Sequence, residues 1–364
     1  MIPSFRAIVP AGGAGTRLWP LSRAGSPKFL HDLTGSGRTL LQATVDRLAP
    51  LTGPGGVVVV TGVAHVPAVR AQLGLPDDAV LAEPSPRDSM AAIGLAAAVL
   101  ARREGDVVVG SFAADHVVTG DGFAEAVAQG VAAARAGYVT TVGIRASGPS
   151  TAFGYVRSGE PLGLPDAPDA RHAAGFTEKP DAATAAAYLA TGEYSWNAGM
   201  FLVRAEVLLA HLARLHPALH DGLREIAAAW DTPGRDDVLA RVWPGLPRIA
   251  IDHAIAEPVA AEGGVAVVPA SFGWDDVGDV ASLAGLLTAE PGGPAVLGDP
   301  DLVLALDAAD ATVVPGGGRL VALLGVPGVV VLDTPDAVLV TTRERAQDVK
   351  AVVAALRERR PDLL

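Results

Sequence analysis

Short runs rich in Val, Ile and Leu recur along the first two-thirds of the chain, at Phe5–Val9, Val57–Thr61, Asp106–Gly110, Val139–Gly143, Met200–Val203 and Val265–Val268. Stretches with helical spacing lie between them, among them Leu40–Leu48, Met90–Arg103 and Phe123–Ala136. Strands that are apolar on both faces must be covered on both faces, and intervening helices supply that cover. The pattern predicts an α/β fold with a Rossmann-like, mostly parallel sheet. Ligands of such sheets bind beyond the carboxyl ends of the strands.

The pattern changes near residue 290. Ala289–Ala295 reads AEPGGPA, a linker-like stretch. Apolar runs then follow without helices, at Leu302–Leu306, Thr312–Val314, Leu320–Leu324, Val329–Leu332 and Ala337–Val340. They predict a small C-terminal β unit, either a short left-handed β-helix or a compact sandwich. A last helix, Arg343–Arg359, carries Ala346, Val349, Val353 and Leu356 on one face and should dock through it. The expected division is a catalytic domain over residues 1–290 and a β-rich unit over 296–364. None of the motifs below falls in the second unit, so it is expected to serve packing and assembly.

Composition excludes several functions. Cysteine is absent, which removes disulfides, thiolate metal sites and a Cys nucleophile. The net charge of −12 argues against nucleic acid as a partner. The start lacks a basic segment followed by an apolar run, and no apolar stretch has membrane-spanning length, so a cytoplasmic protein is expected. Lysine occurs only at Lys28, Lys179 and Lys350 in a chain that otherwise uses arginine. Two of those three stand inside motifs, where a compact point charge suits a phosphate.

The strongest motif is AGGAGTRLWPLSRAGSPKFL, Ala11–Leu30, directly after the first strand. Glycines between a strand and a helix let backbone N–H groups approach an anion. The loop has neither the third glycine of a dinucleotide fingerprint nor the Gly-Lys-Ser/Thr of a P-loop. Arg17, Arg23 and Lys28 put three cations around it, which suits a triphosphate. Asp115, in Ala114-Asp115-His116, follows a strand; such an Asp can hold Mg²⁺ or simply cap a turn.

GGAGTRLWPLSR followed by Pro27-Lys28 resembles the signature of the sugar-phosphate nucleotidyltransferases, and Trp19-Pro20-Leu21-Ser22-Arg23 is similar to the mannose-1-phosphate guanylyltransferases among them. Further segments carry the resemblance: Glu83-Pro84-Ser85-Pro86-Arg87-Asp88-Ser89, Gly154-Tyr155, Glu178-Lys179-Pro180, Asn197-Ala198-Gly199-Met200-Phe201, Asp252-His253-Ala254 and Trp274-Asp275-Asp276-Val277-Gly278. It implies a glycosyltransferase-A-like domain that transfers GMP from GTP to α-D-mannose 1-phosphate and releases pyrophosphate. It implies Arg17, Lys28 and Asp115 as catalytic. Ala11, Gly12, Gly13, Gly15, Thr16, Arg23, Glu83 and Arg87 would bind nucleotide. Gly154, Tyr155, Glu178, Lys179, Asn197 and Asp252 would bind the sugar phosphate, and Mg²⁺ would sit on Asp115 and Asp276. The family often has Gln after the signature Lys, where this chain has Phe29, and Lys where it has Pro258. Read as residues alone, Asp88 or Ser89, and likewise Asp252, could be helix N-caps. A heptose phosphate with GTP, glucose 1-phosphate with dTTP, a non-catalytic sugar-nucleotide sensor and a homodimer stay open.

Overall fold

The computed structural model describes residues 1–13, 15–289 and 292–364. Ala14 of the glycine loop and Glu290 and Pro291 of the linker-like stretch lie outside the described residues. The first unit contains β1 (Phe5–Ala11), β2 (Val57–Gly62), β3 (Val80–Glu83), β4 (Val108–Ser111), β5 (Val117–Thr119), β6 (Val139–Arg145), β7 (Gly154–Pro161), β8 (Arg171–Thr177), β9 (Tyr194–Arg204), β10 (Val265–Ala270) and β11 (Gly273–Asp275). Nine of them form one sheet in the order β3-β2-β1-β4-β9-β6-β10-β8-β7. All but β8 and β9 run in one direction, so the expected mostly parallel sheet is present.

Alternate side chains of the central strands enter two separate cores. Ile8, Val58 and Val60 pack with the helix Asp88–Glu104 on one face. Ala7, Val9, Val57 and Val59 pack with the helices Leu40–Thr52 and Phe123–Arg135 on the other. The run expected at Met200–Val203 is the end of the longer strand β9, which lies antiparallel between β4 and β6. Its first half, Tyr194–Gly199, carries site residues and pairs with β7 through Gly154↔Asn197.

The C-terminal unit holds β12 (Ala295–Val296), β13 (Val303–Leu306), β14 (Thr312–Pro315), β15 (Val321–Leu324), β16 (Val329–Asp333) and β17 (Val338–Thr342). Val303 pairs in parallel with Val321, and Thr312 with Val330, each pairing offset by 18 residues. Parallel strands stacked at a constant offset are coils of a β-helix, which decides against the sandwich. Strand β17 closes the stack antiparallel to β16. The last helical segment begins as a 3-10 turn, Arg343–Asp348, and becomes α-helical over Val349–Arg359.

The β-helix unit and the first unit share an apolar core. Leu18, Trp19, Leu40, Val277, Val280 and Leu283 meet Val314, Val330, Leu332, Ala346, Val349 and Val353 in one buried cluster. The predicted apolar face of the last helix therefore docks against the loops that carry the signature.

Candidate active site

Strand β1 ends at Ala11, and Gly12 and Gly13 follow it with open space where a side chain would stand. Arg17 lies on the next short turn, Thr16–Leu18, exposed to solvent beside the glycines. The Lys28 stem passes against Gly15 and carries its ammonium to Asp115 Oδ2 at 3.0 Å. The same Nζ donates to the carbonyls of Asp276 at 2.5 Å and Val277 at 3.2 Å. One cation thus joins the signature, the segment after β4 and the segment after β11. Burial raises the Asp276 carboxyl above its ordinary range; Lys28 opposes the rise, and Asp275 and Asp115 add to it. A side chain at Gly278 would sit 3.0 Å from Asp276 Oδ1, so the glycine leaves that oxygen open.

On the sugar side, Asn197 is buried and bonded three ways. Its Nδ2 donates to Asp252 Oδ1 at 2.9 Å, while its Oδ1 accepts from Thr141 Oγ1 at 2.7 Å and from the Gly199 N–H at 3.2 Å. Burial, reinforced by Glu178, pushes the Asp252 carboxyl up to about 6. Asp252 opens a π-helical turn, Asp252–Ala256, so it is a side-chain partner of Asn197 and not an N-cap. A Cβ on Gly154 would collide with Glu178 Oε2, which holds Glu178 against β7. Lys179 Nζ pairs with Glu178 Oε1, and the Glu178 N–H reaches Glu257 Oε1 at 3.2 Å.

Glu83 ends β3, beside Gly62 of β2, two strands from the glycine loop. Glu83 is 8% exposed as a residue, and among the described residues no partner reaches its buried Oε2. Burial pushes it up to about 7. The segment after it is tied down from behind: Trp243 Nε1 donates to the Ser85 carbonyl at 2.8 Å, and Arg87 donates to the carbonyls of Leu246 and Pro244. Arg87 therefore supports this wall through backbone carbonyls. The N-cap position of the helix Asp88–Glu104 is Arg87, without a side-chain cap, and neither Asp88 nor Ser89 fills it. Ser89 Oγ instead accepts from the Ile251 N–H at 3.0 Å.

Two other expected ligands are engaged elsewhere. The Tyr155 ring is fully buried, and its hydroxyl accepts from the Ser150 N–H at 2.8 Å, so it braces the preceding loop. Arg23 forms a bidentate pair with Asp336 of the β-helix unit, at 2.6 and 2.7 Å.

The motifs quoted above include His116 and Trp274 but give neither of them a role. Phe153 packs edge-on against Trp196 and Trp274, with centroids 5.0 and 4.9 Å away, and Trp274 packs against His116. Trp274 Nε1 donates to His116 Nδ1 at 3.2 Å, and burial pushes the imidazole down to about 4. His116 is neutral, with its proton on Nε2. These rings flank the motifs directly in sequence, and that adjacency was the available signal.

The arrangement gathers two carboxylates, two cations and a glycine loop on one side, with a hydrogen-bonding row for a polyol on the other. Such a site suits the joining of two phosphorylated substrates. Residues 6–289 match the family described as nucleotidyl transferase, and residues 301–356 match a mannose-phosphate isomerase/GMP-like β-helix domain. The chain belongs to the nucleotidyl transferase family and is an enzyme of nucleotide-sugar formation. It closely matches the mannose-1-phosphate guanylyltransferases within that family. The Xanthan biosynthesis protein XanB of Xanthomonas campestris is 38% identical over 96% of this chain and 73% of its own length. The mannose-1-phosphate guanylyltransferase of Escherichia coli is 36% identical over the same shares. A Thermus thermophilus structure, described as a mannose-1-phosphate geranyltransferase, superposes with a TM-score of 0.84 at 34% identity. That match covers 97% of this chain and 99% of the other.

The family generally uses a divalent metal. Among the described residues no three ligating side chains cluster tightly enough to hold one alone. Mg²⁺ is commonly held by one or two carboxylates, its remaining ligands being water and substrate phosphates. Asp115, whose carboxylate pairs with Lys28, and Asp276, whose main-chain carbonyl takes the same ammonium and whose Oδ1 is left open beside Gly278, are two carboxylates of that kind. Among the described residues no helix is long and apolar enough to cross a membrane.

Proposed function

We propose that the chain transfers GMP from GTP to α-D-mannose 1-phosphate, giving GDP-mannose and pyrophosphate. The observation that carries the chemistry is Lys28, which ties the signature to both carboxylate segments at the mouth of the glycine loop. A sugar phosphate is already an anionic nucleophile. One of its oxygens attacks the α-phosphorus, the bond from that phosphorus to the bridging oxygen breaks, and pyrophosphate leaves with the electron pair. No base and no covalent intermediate is required, so catalysis rests on alignment and charge neutralisation.

In this reading the exposed N–H groups of Gly12 and Gly13 and the Arg17 guanidinium take the triphosphate. Lys28 exchanges part of its contact with Asp115 for phosphate oxygen. Asp115 and Asp276 would hold Mg²⁺, which supplies charge neutralisation across the phosphates. Asn197, Asp252 and Glu178 orient sugar hydroxyls while Lys179 meets the sugar phosphate. Glu83 supports guanine as the base: once ionised, its carboxylate offers two acceptors, matching the N1–H and amino group of a guanine edge. Mannose is supported by the names of the relatives and by the Trp-Pro-Leu-Ser-Arg string. Pyrophosphate release across a panel of sugar 1-phosphates and triphosphates tests the assignment. The highest kcat/KM is expected for mannose 1-phosphate with GTP. A preference for glucose 1-phosphate with dTTP, or for a heptose phosphate, would overturn the substrate assignment while leaving the chemistry.

A further inference from the structure

Arg23 stands inside the signature, yet its guanidinium faces the β-helix unit. Its two terminal nitrogens meet the two Asp336 oxygens at 2.6 and 2.7 Å, and its Nε donates to the Pro20 carbonyl at 3.2 Å. Asp336 lies in the turn between β16 and β17, where Thr334 Oγ1 donates to its Oδ1 at 3.0 Å. The backbone of Arg23 is itself a fixed point. Its N–H donates to the Ser26 carbonyl at 2.9 Å, and the Ser26 N–H returns to the Arg23 carbonyl at 3.0 Å. That closed turn is followed by Pro27 and then Lys28, whose ammonium joins the two carboxylate segments. A short path, one ion pair followed by the chain from Arg23 to Lys28, thus runs from the β-helix unit to the central cation of the site.

The same unit grips both sides of the site from behind. Trp19 Nε1 donates to the Leu363 carbonyl at 2.8 Å, and Gln347 Nε2 donates to Asp279, just past Asp276 and Val277. Val277 and Val280 share a buried cluster with Val330, Ala346 and Val349. We propose that Asp336 is a positioning residue for nucleotidyl transfer: through Arg23 it fixes the Arg23–Ser26 turn that delivers Lys28. The inference rests on the reading of the site given above. It departs from the expectation that the C-terminal unit only packs, and it moves Arg23 from nucleotide binding to the joint between the units.

Asp336 suits a clean test because its side chain is 49% exposed. An ion pair of that exposure contributes little to stability, whereas a bidentate Arg–carboxylate pair fixes geometry. The full-length Asp336→Ala, Asp336→Glu and wild-type proteins are compared for thermal midpoint, kcat, KM for each substrate, and amide exchange over residues 16–28. Asp336→Ala is expected to keep the wild-type midpoint and the sugar-phosphate KM, to speed exchange in the signature, and to lose about ten- to a hundredfold in kcat, the scale on which small misplacements act. Asp336→Glu, which keeps the pair, should recover most of the rate. Wild-type kcat in Asp336→Ala, or a loss of rate that merely follows a fallen midpoint, overturns the positioning role. A wild-type protein without turnover on any substrate pair would instead overturn the proposed reaction.

Discussion

Lys28 and Lys179 carry similar charges in different company, and their surroundings separate their tasks. Lys28 is enclosed by Asp115 and the carbonyls of Asp276 and Val277, whereas the Lys179 side chain is 62% exposed and held by Glu178. Lys28→Ala should therefore act on turnover and the use of GTP, and Lys179→Ala on the KM for sugar phosphate. Each is expected to cost about ten- to a hundredfold, the scale of a lost charged hydrogen bond. An unchanged sugar-phosphate dependence in Lys179→Ala would remove it from the pocket. Asp115→Ala and Asp276→Ala should each lose roughly a thousandfold in rate at saturating Mg²⁺ and still fold. Near-wild-type turnover in either would refute the carboxylate pair as the metal site. Glu83 adds a pH dependence. Its folded pKa, about 7, lies above the ordinary 4.5, so the folded state holds the extra proton between those values. The stability it contributes is complete below pH 4.5 and is lost as pH rises through 7, by up to about 3 kcal/mol. Glu83→Gln should flatten that slope in urea titrations and raise the KM for GTP by about tenfold or more. A slope that persists in the variant belongs to another group.

Among the elements, those legible in the sequence carry a continuous apolar run or a regular apolar periodicity. Strands β1, β2, β6 and β10 stand where the Val-rich runs predict them, and the helices Leu40–Thr52, Asp88–Glu104 and Phe123–Arg135 follow their apolar periodicity. Strands β7, β8 and β11 were not legible. Their residues, such as GYVRSGEP in β7, mix polar and apolar types without a regular alternation. The reversed direction of β9 was hidden for a related reason. An apolar run reports burial and leaves orientation undetermined. The motifs themselves were readable as a set, but the neighbours each would choose were not. Gly154 shows what close packing of these strands requires. Gly154→Ala puts a methyl group onto the Glu178 carboxylate. It should weaken sugar-phosphate binding about tenfold or more, with the GTP KM and the thermal midpoint near wild type. An equal loss for both substrates would place Glu178 outside the sugar pocket.

At the scale of the molecule, the two units act on one site. The contacts that join them, Trp19 with Leu363 and Arg23 with Asp336, link residues more than three hundred positions apart, which local patterns cannot report. For that reason a small C-terminal β unit was readable, with β-helix and sandwich both open, while its support of the signature was not. Truncation after Pro294 should uncover Leu18, Trp19, Val277 and Val280, lower the midpoint and abolish turnover in any soluble remnant. Wild-type specific activity in a folded remnant would return the unit to a packing role. The central claim, nucleotidyl transfer to a sugar phosphate, is tested most directly by incubating the full chain with GTP, mannose 1-phosphate and Mg²⁺ and identifying the products by mass spectrometry. The account predicts GDP-mannose and pyrophosphate in equal amounts, and neither from Asp276→Ala. Pyrophosphate or phosphate without a sugar nucleotide, or no product from the wild-type chain, would contradict it.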